Sequence, residues 1–169
     1  MAGERITVLG LDPGSRCTGF GLISEESGRL RLIQTGTVRP QLDLPLSDRL
    51  GEIHARLSGL IQEFSPHEAA VEDVFVSRNT SSALKLGQAR GAALVACAGH
   101  NLPVFAYEPA LIKKTLVGAG RADKGQVAFM VGQLLGQRPD WSQDSSDALA
   151  AAICHLNLRR WKHMQSRAG

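Results

Sequence analysis

The sequence predicts an α/β domain built on one mixed sheet with helices on both faces. Three observations carry that expectation. Residues 6–38 hold three apolar runs joined by tight turns; the next segment switches to helical spacing; and from residue 68 strand-like runs alternate with helical stretches.

Taken in order, "ITVLGLD" over 6–12 reads as a buried strand that ends on Asp12 at a Pro-Gly turn. Residues 18–24 and 29–38 read as second and third strands, and the short turns between them imply antiparallel hairpins. Leu46, Leu50, Ile53, Leu57, Leu60, Ile61 and Phe64 mark one face of a helix that Pro66 stops. "EAAVEDVFV" from residue 68 is a strand reached by a crossover. An alanine-rich helix over 80–99 follows, then the strand "LPVFAY". Val127, Met130, Val131, Leu134 and Leu135 mark a further helix, and a last one runs from near Ser145 to Trp161. These are five strands in all.

The 169 residues suit one domain, with 43% hydrophobic and 21% charged residues. No apolar run approaches the roughly 18 residues that span a bilayer. "MAGERITV" lacks a signal-like core, so a cytoplasmic protein is expected. Cys17, Cys97 and Cys154 lie far apart in apolar surroundings and read as buried free thiols of a reducing compartment. Net charge is only +3, but residues 77–124 carry seven Lys/Arg against two acids. From His155 onward four more basic residues, Arg159, Arg160, Lys162 and Arg167, meet no acid. Such a distribution suits a polyanion, with scattered solvated side chains as the alternative.

Right-handed crossovers place the strands starting at 6 and 68 side by side. Their carboxyl ends, where open α/β sheets bind ligands, then carry Asp12 and Glu72 as neighbours. Spacing alone does not separate Glu72 from adjacent Asp73. In "DSSDALAAAICH", Asp144 and Asp147 stand at i and i+3 on one helical face. Both acids also suit the positive end of a helix dipole, which leaves the buried character of the rest of that helix unexplained. Four converging carboxylates cannot all ionise without a counter-charge. Two magnesium ions about 4 Å apart, with manganese as a substitute, would neutralise them and align a phosphodiester for attack by water. Gly14 and Gly19 would let backbone and substrate approach closely.

"GLDPGSRCTGFG", "VEDVFVSRN", "SSALKLGQARGAALVA", "VGAGRADKGQV" and "DSSDALAAAICH" occur in one order and spacing. Together they resemble the RuvC-type Holliday-junction resolvases, endonucleases of ribonuclease-H-like fold. The likeness spans roughly residues 5–157 and implies a nuclease domain over 1–157 followed by a basic tail, 158–169. It implies that Asp12, Glu72, Asp144 and Asp147 are the metal-binding, catalytic acids, which selects Glu72 over Asp73. It implies that Lys113 and Lys124 act near the scissile phosphate, stabilising developing charge or holding the backbone. Phe75 corresponds to the aromatic residue at the junction crossover, where it would stack on an unpaired base rather than fill a core. Arg78, Asn79, Lys85, Arg90 and Lys114 are expected to bind DNA as well. The resemblance further implies a homodimer that cuts two strands of a four-way junction symmetrically, and the RuvA–RuvB branch-migration complex as partner.

Ala83, Gly87 and Gly91 recur every four residues along the helix over 80–99. Each glycine costs about 1 kcal/mol of helix propensity relative to alanine. A close backbone contact is therefore expected there, either with the chain's own sheet or with a partner helix. Three rival functions share some of these features. A sugar-kinase or actin-like ATPase needs a far longer chain. A non-cleaving junction scaffold gains nothing from clustered anions facing DNA. A ribonuclease H acting on RNA–DNA hybrids stays open on sequence alone.

Overall fold

Alternation of side chains along the first strand already sets the layers. In β1 (Ile6–Asp12), Ile6 and Val8 face one apolar cluster while Leu9 and Leu11 face another. A strand buried on both faces in this way belongs at the centre of a sheet. The computed structural model describes residues 4–73 and 78–168. β2 (Thr18–Glu26) pairs antiparallel with β1, and β3 (Arg29–Val38) pairs antiparallel with β2. On the other side of β1, β4 (Glu68–Glu72) and then β5 (Val104–Tyr107) pair in parallel, giving the order β3-β2-β1-β4-β5. The expected mixed five-stranded sheet is therefore present, with its hairpin half and its crossover half meeting at β1.

Two helices cover one face. α1 (Leu46–Phe64) buries Ile53, Leu57 and Ile61, and ends at Ser65 in the left-handed region. α2 (Thr80–Gly99) buries Ala89, Ala93, Ala96 and Cys97. Its first turn is capped by Asn79, whose side chain accepts from the Ser82 amide at 3.1 Å. The face α2 turns inward is thus the one containing Ala89 and Ala93, not the one containing Gly87 and Gly91. A side chain placed on either glycine would meet nothing within 4 Å among the described residues. That answers one sequence-level alternative: the glycine stripe does not pack on the chain's own sheet.

The opposite face carries α3 (Pro109–Val117), α4 (Lys124–Leu135) and α5 (Gln143–Ala168). α3 is absent from the sequence-based element list. Its signals are local: proline at the first helical position and Gly118 in the left-handed region at its end. α4 begins with a capping box formed by Asp123 and Gln126. α5 lies across β2, β1 and β4, and continues past Trp161 to Ala168, so the basic segment after 157 extends the same helix. Among the described residues no helix is long and apolar enough to cross a membrane.

The contact between α5 and the sheet is unusually close because three glycines lie beneath it. A Cβ on Gly10 would strike the carbonyl of Ala148, one on Gly19 the carbonyl of Asp144, and one on Gly21 the side chain of Leu149. Gly10 pairs with Gly21 across the ladder, and Asp12 with Gly19. The glycines therefore form a floor at the end of the sheet where β1 finishes. Gly19 acts as expected in allowing close approach, and the approaching group is the backbone of α5. Gly14 instead sits in a tight turn, where a Cβ would strike the carbonyl of Cys17.

Candidate active site

Asp12 closes β1, and the loop after it is pinned from two sides. The fully buried Thr18 hydroxyl donates to the Gly14 carbonyl at 2.9 Å and accepts from the Gly14 amide at 3.2 Å. Arg49 of α1 donates to the Ser15 carbonyl. Leu11 is in register with Val71, so the next residues, Asp12 and Glu72, end adjacent parallel strands at the same rim. Asp144 and Asp147 occupy the first turns of α5 above Gly19 and Gly10. Four acids from three elements thus face one another at one end of the sheet.

Their electrostatics record that proximity. Burial pushes the Asp12 carboxyl up to about 7, with further contributions from the charges of Asp147, Glu72 and Asp144 and a partial offset from Lys124. Burial also raises the Glu72 carboxyl, followed by the charge of Asp147, against Lys124 and Lys113. Lys124, at the start of α4, approaches Asp147 Oδ2 at 3.6 Å. Gln143 donates to Asp147 Oδ1 at 2.8 Å. Glu72, Lys113, Lys124 and Asp147 line a cavity of about 110 Å³ walled by Pro109, Ile112, Val127 and Ala150. A larger cleft, about 620 Å³, lies at the far end of the sheet among Arg5, Arg29 and Arg31, where no carboxylate cluster faces it. The converging carboxylates lie at the acid rim and not at this larger cleft.

The donor set fits hard divalent cations: carboxylate oxygens, mutually repelling, with one raised to near neutrality. Among the described residues no three acidic, histidine or cysteine side chains are grouped closely enough to hold an ion. The fit therefore rests on charge and donor type.

The remaining predicted residues fall in several places. Asp73, the alternative to Glu72, is taken up by Arg90 at 3.2 Å, so its charge is already answered. The same ion pair engages Arg90, one of the expected DNA contacts. Asn79, another, caps α2. Arg78, Lys85 and Lys114 are exposed, and Lys113 is half-buried at the cavity. Phe75 lies outside the described residues. Of the cysteines, Cys97 and Cys154 are buried as expected, whereas Cys17 is only half-buried and sits beside Asp144. Burial, then its hydrogen bond and repulsion with Asp144, push the Cys17 thiol up to about 11, so it is a neutral neighbour of the site. Gln143 is a functional neighbour that sequence reading misses. Its signal is the i, i+4 spacing to Asp147, which is common on any helix surface.

Comparison with known proteins agrees with this geometry. The family model for "Crossover junction endodeoxyribonuclease RuvC" matches residues 8–155. The RuvC protein of Oleidesulfovibrio alaskensis is 58% identical over 97% of this chain and 98% of its own length. That of Nitratidesulfovibrio vulgaris is 55% identical over 92% of this chain and 93% of its own. Among solved structures, Thermus thermophilus RuvC in complex with a Holliday junction substrate aligns with a TM-score of 0.88 at 36% identity. That alignment covers 93% of this chain and 96% of the other. The yeast mitochondrial resolvase Ydc2, at 11% identity and a TM-score of 0.61, shares the fold. With its ribonuclease-H-like sheet, its acid rim and this likeness over nearly its whole length, the chain belongs to the RuvC family of crossover junction endodeoxyribonucleases.

Proposed function

We propose that this chain resolves four-way DNA junctions in recombination and repair, by paired nicks made through metal-assisted phosphodiester hydrolysis. The observation that carries the reading is the convergence of Asp12, Glu72, Asp144 and Asp147, with the Asp12 carboxyl raised to about 7 by burial and by the other three. A binder without cleavage has no use for four acids facing a polyanion. Two magnesium ions held by these acids, or manganese in their place, would supply an activated water and polarise the phosphate. The chain's own contribution is to hold the acids, to keep Asp147 oriented through Gln143, and to present ammonium groups at the cavity. Lys124 is well exposed while ion-paired with Asp147, and Lys113 shares its cavity, which suits both to contacts with non-bridging phosphate oxygens. Lys85, Lys114 and Arg78, exposed on the surface, suit DNA backbone contacts, as Phe75 suits base stacking. The free cysteines fit a cytoplasmic setting. RuvA–RuvB is the further partner that family membership implies.

Replacing each acid by its amide tests the site. Asp12→Asn, Glu72→Gln, Asp144→Asn and Asp147→Asn should each abolish nicking of a synthetic four-way junction with Mg²⁺ while retaining junction binding. Near-normal nicking by any one of them removes that residue from the ligand set. A linear duplex and an RNA–DNA hybrid, assayed in parallel, should remain uncut.

The raised Asp12 carboxyl also has a stability consequence. A folded-state value above the unfolded one means that the folded chain holds the proton more tightly. Stability from this group is then present at low pH and lost as pH rises through about 7. Without metal, Asp12→Asn should melt at a higher temperature than wild type at about pH 8, and near wild type at about pH 4. Added Mg²⁺ should raise the wild-type midpoint more at the higher pH. Parallel melting curves for the two proteins across that range would contradict the assignment.

A junction has two-fold symmetry, and one active site per chain makes one cut at a time. An isologous homodimer answers both facts. Leu84 and Val95, 69% and 60% exposed, lie on the same outward side of α2 as Gly87 and Gly91, and this apolar line supports α2 as the contact. Gly87→Leu should leave a folded chain that sediments as a monomer and loses paired cutting. A dimeric, active Gly87→Leu protein would place the interface elsewhere.

A further inference from the structure

The middle of α5, about 12 Å along the helix from Asp147, carries a buried polar cluster with no part in the site described above. His155 is 3% exposed. The Tyr107 hydroxyl lies 2.5 Å from its Nδ1, and Glu68 Oε2 lies 2.5 Å from its Nε2. Arg159 Nε reaches the same carboxylate at 3.3 Å, and the Phe105 ring lies 4.6 Å from the imidazole. Burial acts against ionisation of Glu68, but the hydrogen bond and charge of His155 and then Arg159 outweigh it and hold the carboxyl below its usual range. With Glu68 ionised, Nε2 donates to it and Nδ1 pairs with the Tyr107 hydroxyl, so both ring nitrogens are satisfied.

The position of this cluster matters more than its composition. α5 runs antiparallel to β4, with Asp147 near Glu72 at one end and His155 on Glu68 at the other. From Glu72 back to Glu68 is four strand residues, about 13 Å. From Asp147 to His155 is eight helical residues, about 12 Å. The two pairs are rungs of one ladder whose rails match in length. Tyr107 ties in the third element, because it is the register partner of Glu72 on β5. The rest of the face that α5 turns to the sheet is apolar, with small Ala148, Ala151 and Ala152 beside larger Leu149, Ile153 and Leu156. That packing sets how closely the helix approaches, and the polar pairs add directional contacts that fix its position along its axis. A slip of one residue moves the helix about 1.5 Å and turns it by about 100°.

We propose that Glu68, His155 and Tyr107 are positioning residues that lock the axial register of α5 on β4 and β5, and so set Asp147 against Glu72 for metal binding. The inference rests on the reading of Glu72 and Asp147 as metal ligands. Groups bonded directly to metal ligands are commonly worth about 10- to 100-fold in metal affinity, and a brace that acts through the helix falls at the low end of that range.

The test is a Mn²⁺ titration by calorimetry on wild type, His155→Leu, Tyr107→Phe and Glu68→Gln, with junction affinity measured in Ca²⁺ and folding followed by circular dichroism. His155→Leu should weaken Mn²⁺ binding by about ten-fold or more while junction affinity stays near wild type. Tyr107→Phe, which removes one hydroxyl, should weaken it less. Glu68→Gln keeps an acceptor for Nε2 and should stay near wild type. A folded His155→Leu protein with unchanged Mn²⁺ affinity overturns the proposal, as does one that loses junction affinity in parallel. Should His155→Leu fail to fold, unchanged Mn²⁺ affinity in Tyr107→Phe overturns it and weakened affinity supports it. A wild type that binds no Mn²⁺ overturns the metal site itself, and the brace with it; a wild type that binds normally beside unaffected variants overturns the brace alone.

Discussion

Helix α5 reaches the sheet at backbone distance because β1 and β2 put no side chain beneath its first turns. Gly10, Gly19 and Gly21 leave room where any Cβ would strike Ala148, Asp144 or Leu149. Everything at the acid rim follows from that approach. Asp12 and Glu72 are brought together by parallel pairing of β1 and β4, a contact that any sheet of this topology makes. Asp144 and Asp147 join them only if the helix lies down on the glycine floor. An added methyl group in so tight a space costs on the order of 1–3 kcal/mol of overpacking, or else the helix lifts away.

The convergence works against the fold's own stability. Four carboxylates at one rim repel one another, and Asp12 holds its proton to about pH 7. Lys124 and Gln143 relieve part of this at Asp147, while Arg90 removes Asp73 from the balance. Interactions elsewhere compensate: apolar layers on both sheet faces, and further along α5 the His155 cluster together with Arg160, which reaches Glu25 and the Gly28 carbonyl. The helix is thus held at two places, by close packing at the rim and by polar contacts along its middle.

Much of this is legible in the chain itself. The end of "ITVLGLD" and the i, i+3 pair in "DSSD" identify Asp12, Asp144 and Asp147 as candidates from local pattern, because strand ends and helix faces are local properties. Glu72 against Asp73 is not local. It depends on the register of β4 against β1, which sets Glu72 beside Asp12, while Arg90, seventeen residues beyond Asp73, takes up that other acid. The α2 stripe is ambiguous for the same reason: a small-residue face reads identically whether it meets the chain's sheet or a second molecule. α3 escapes because nine residues offer too little periodicity, although Pro109 and Gly118 bracket it. His155 and Glu68 are 87 residues apart, and nothing near either one announces the other. Their meeting follows from the antiparallel laying of a helix on a strand, which only the assembled fold determines.

The most direct measurement is a Mn²⁺ titration of Gly19→Ala, with far-ultraviolet circular dichroism to monitor the fold and a four-way junction to monitor nicking. The expected result is a folded chain, since both apolar layers remain, with Mn²⁺ binding and nicking largely lost because Asp144 is lifted from Asp12. A folded Gly19→Ala protein that binds Mn²⁺ and cuts the junction as wild type does would contradict the claim that the glycine floor assembles the site.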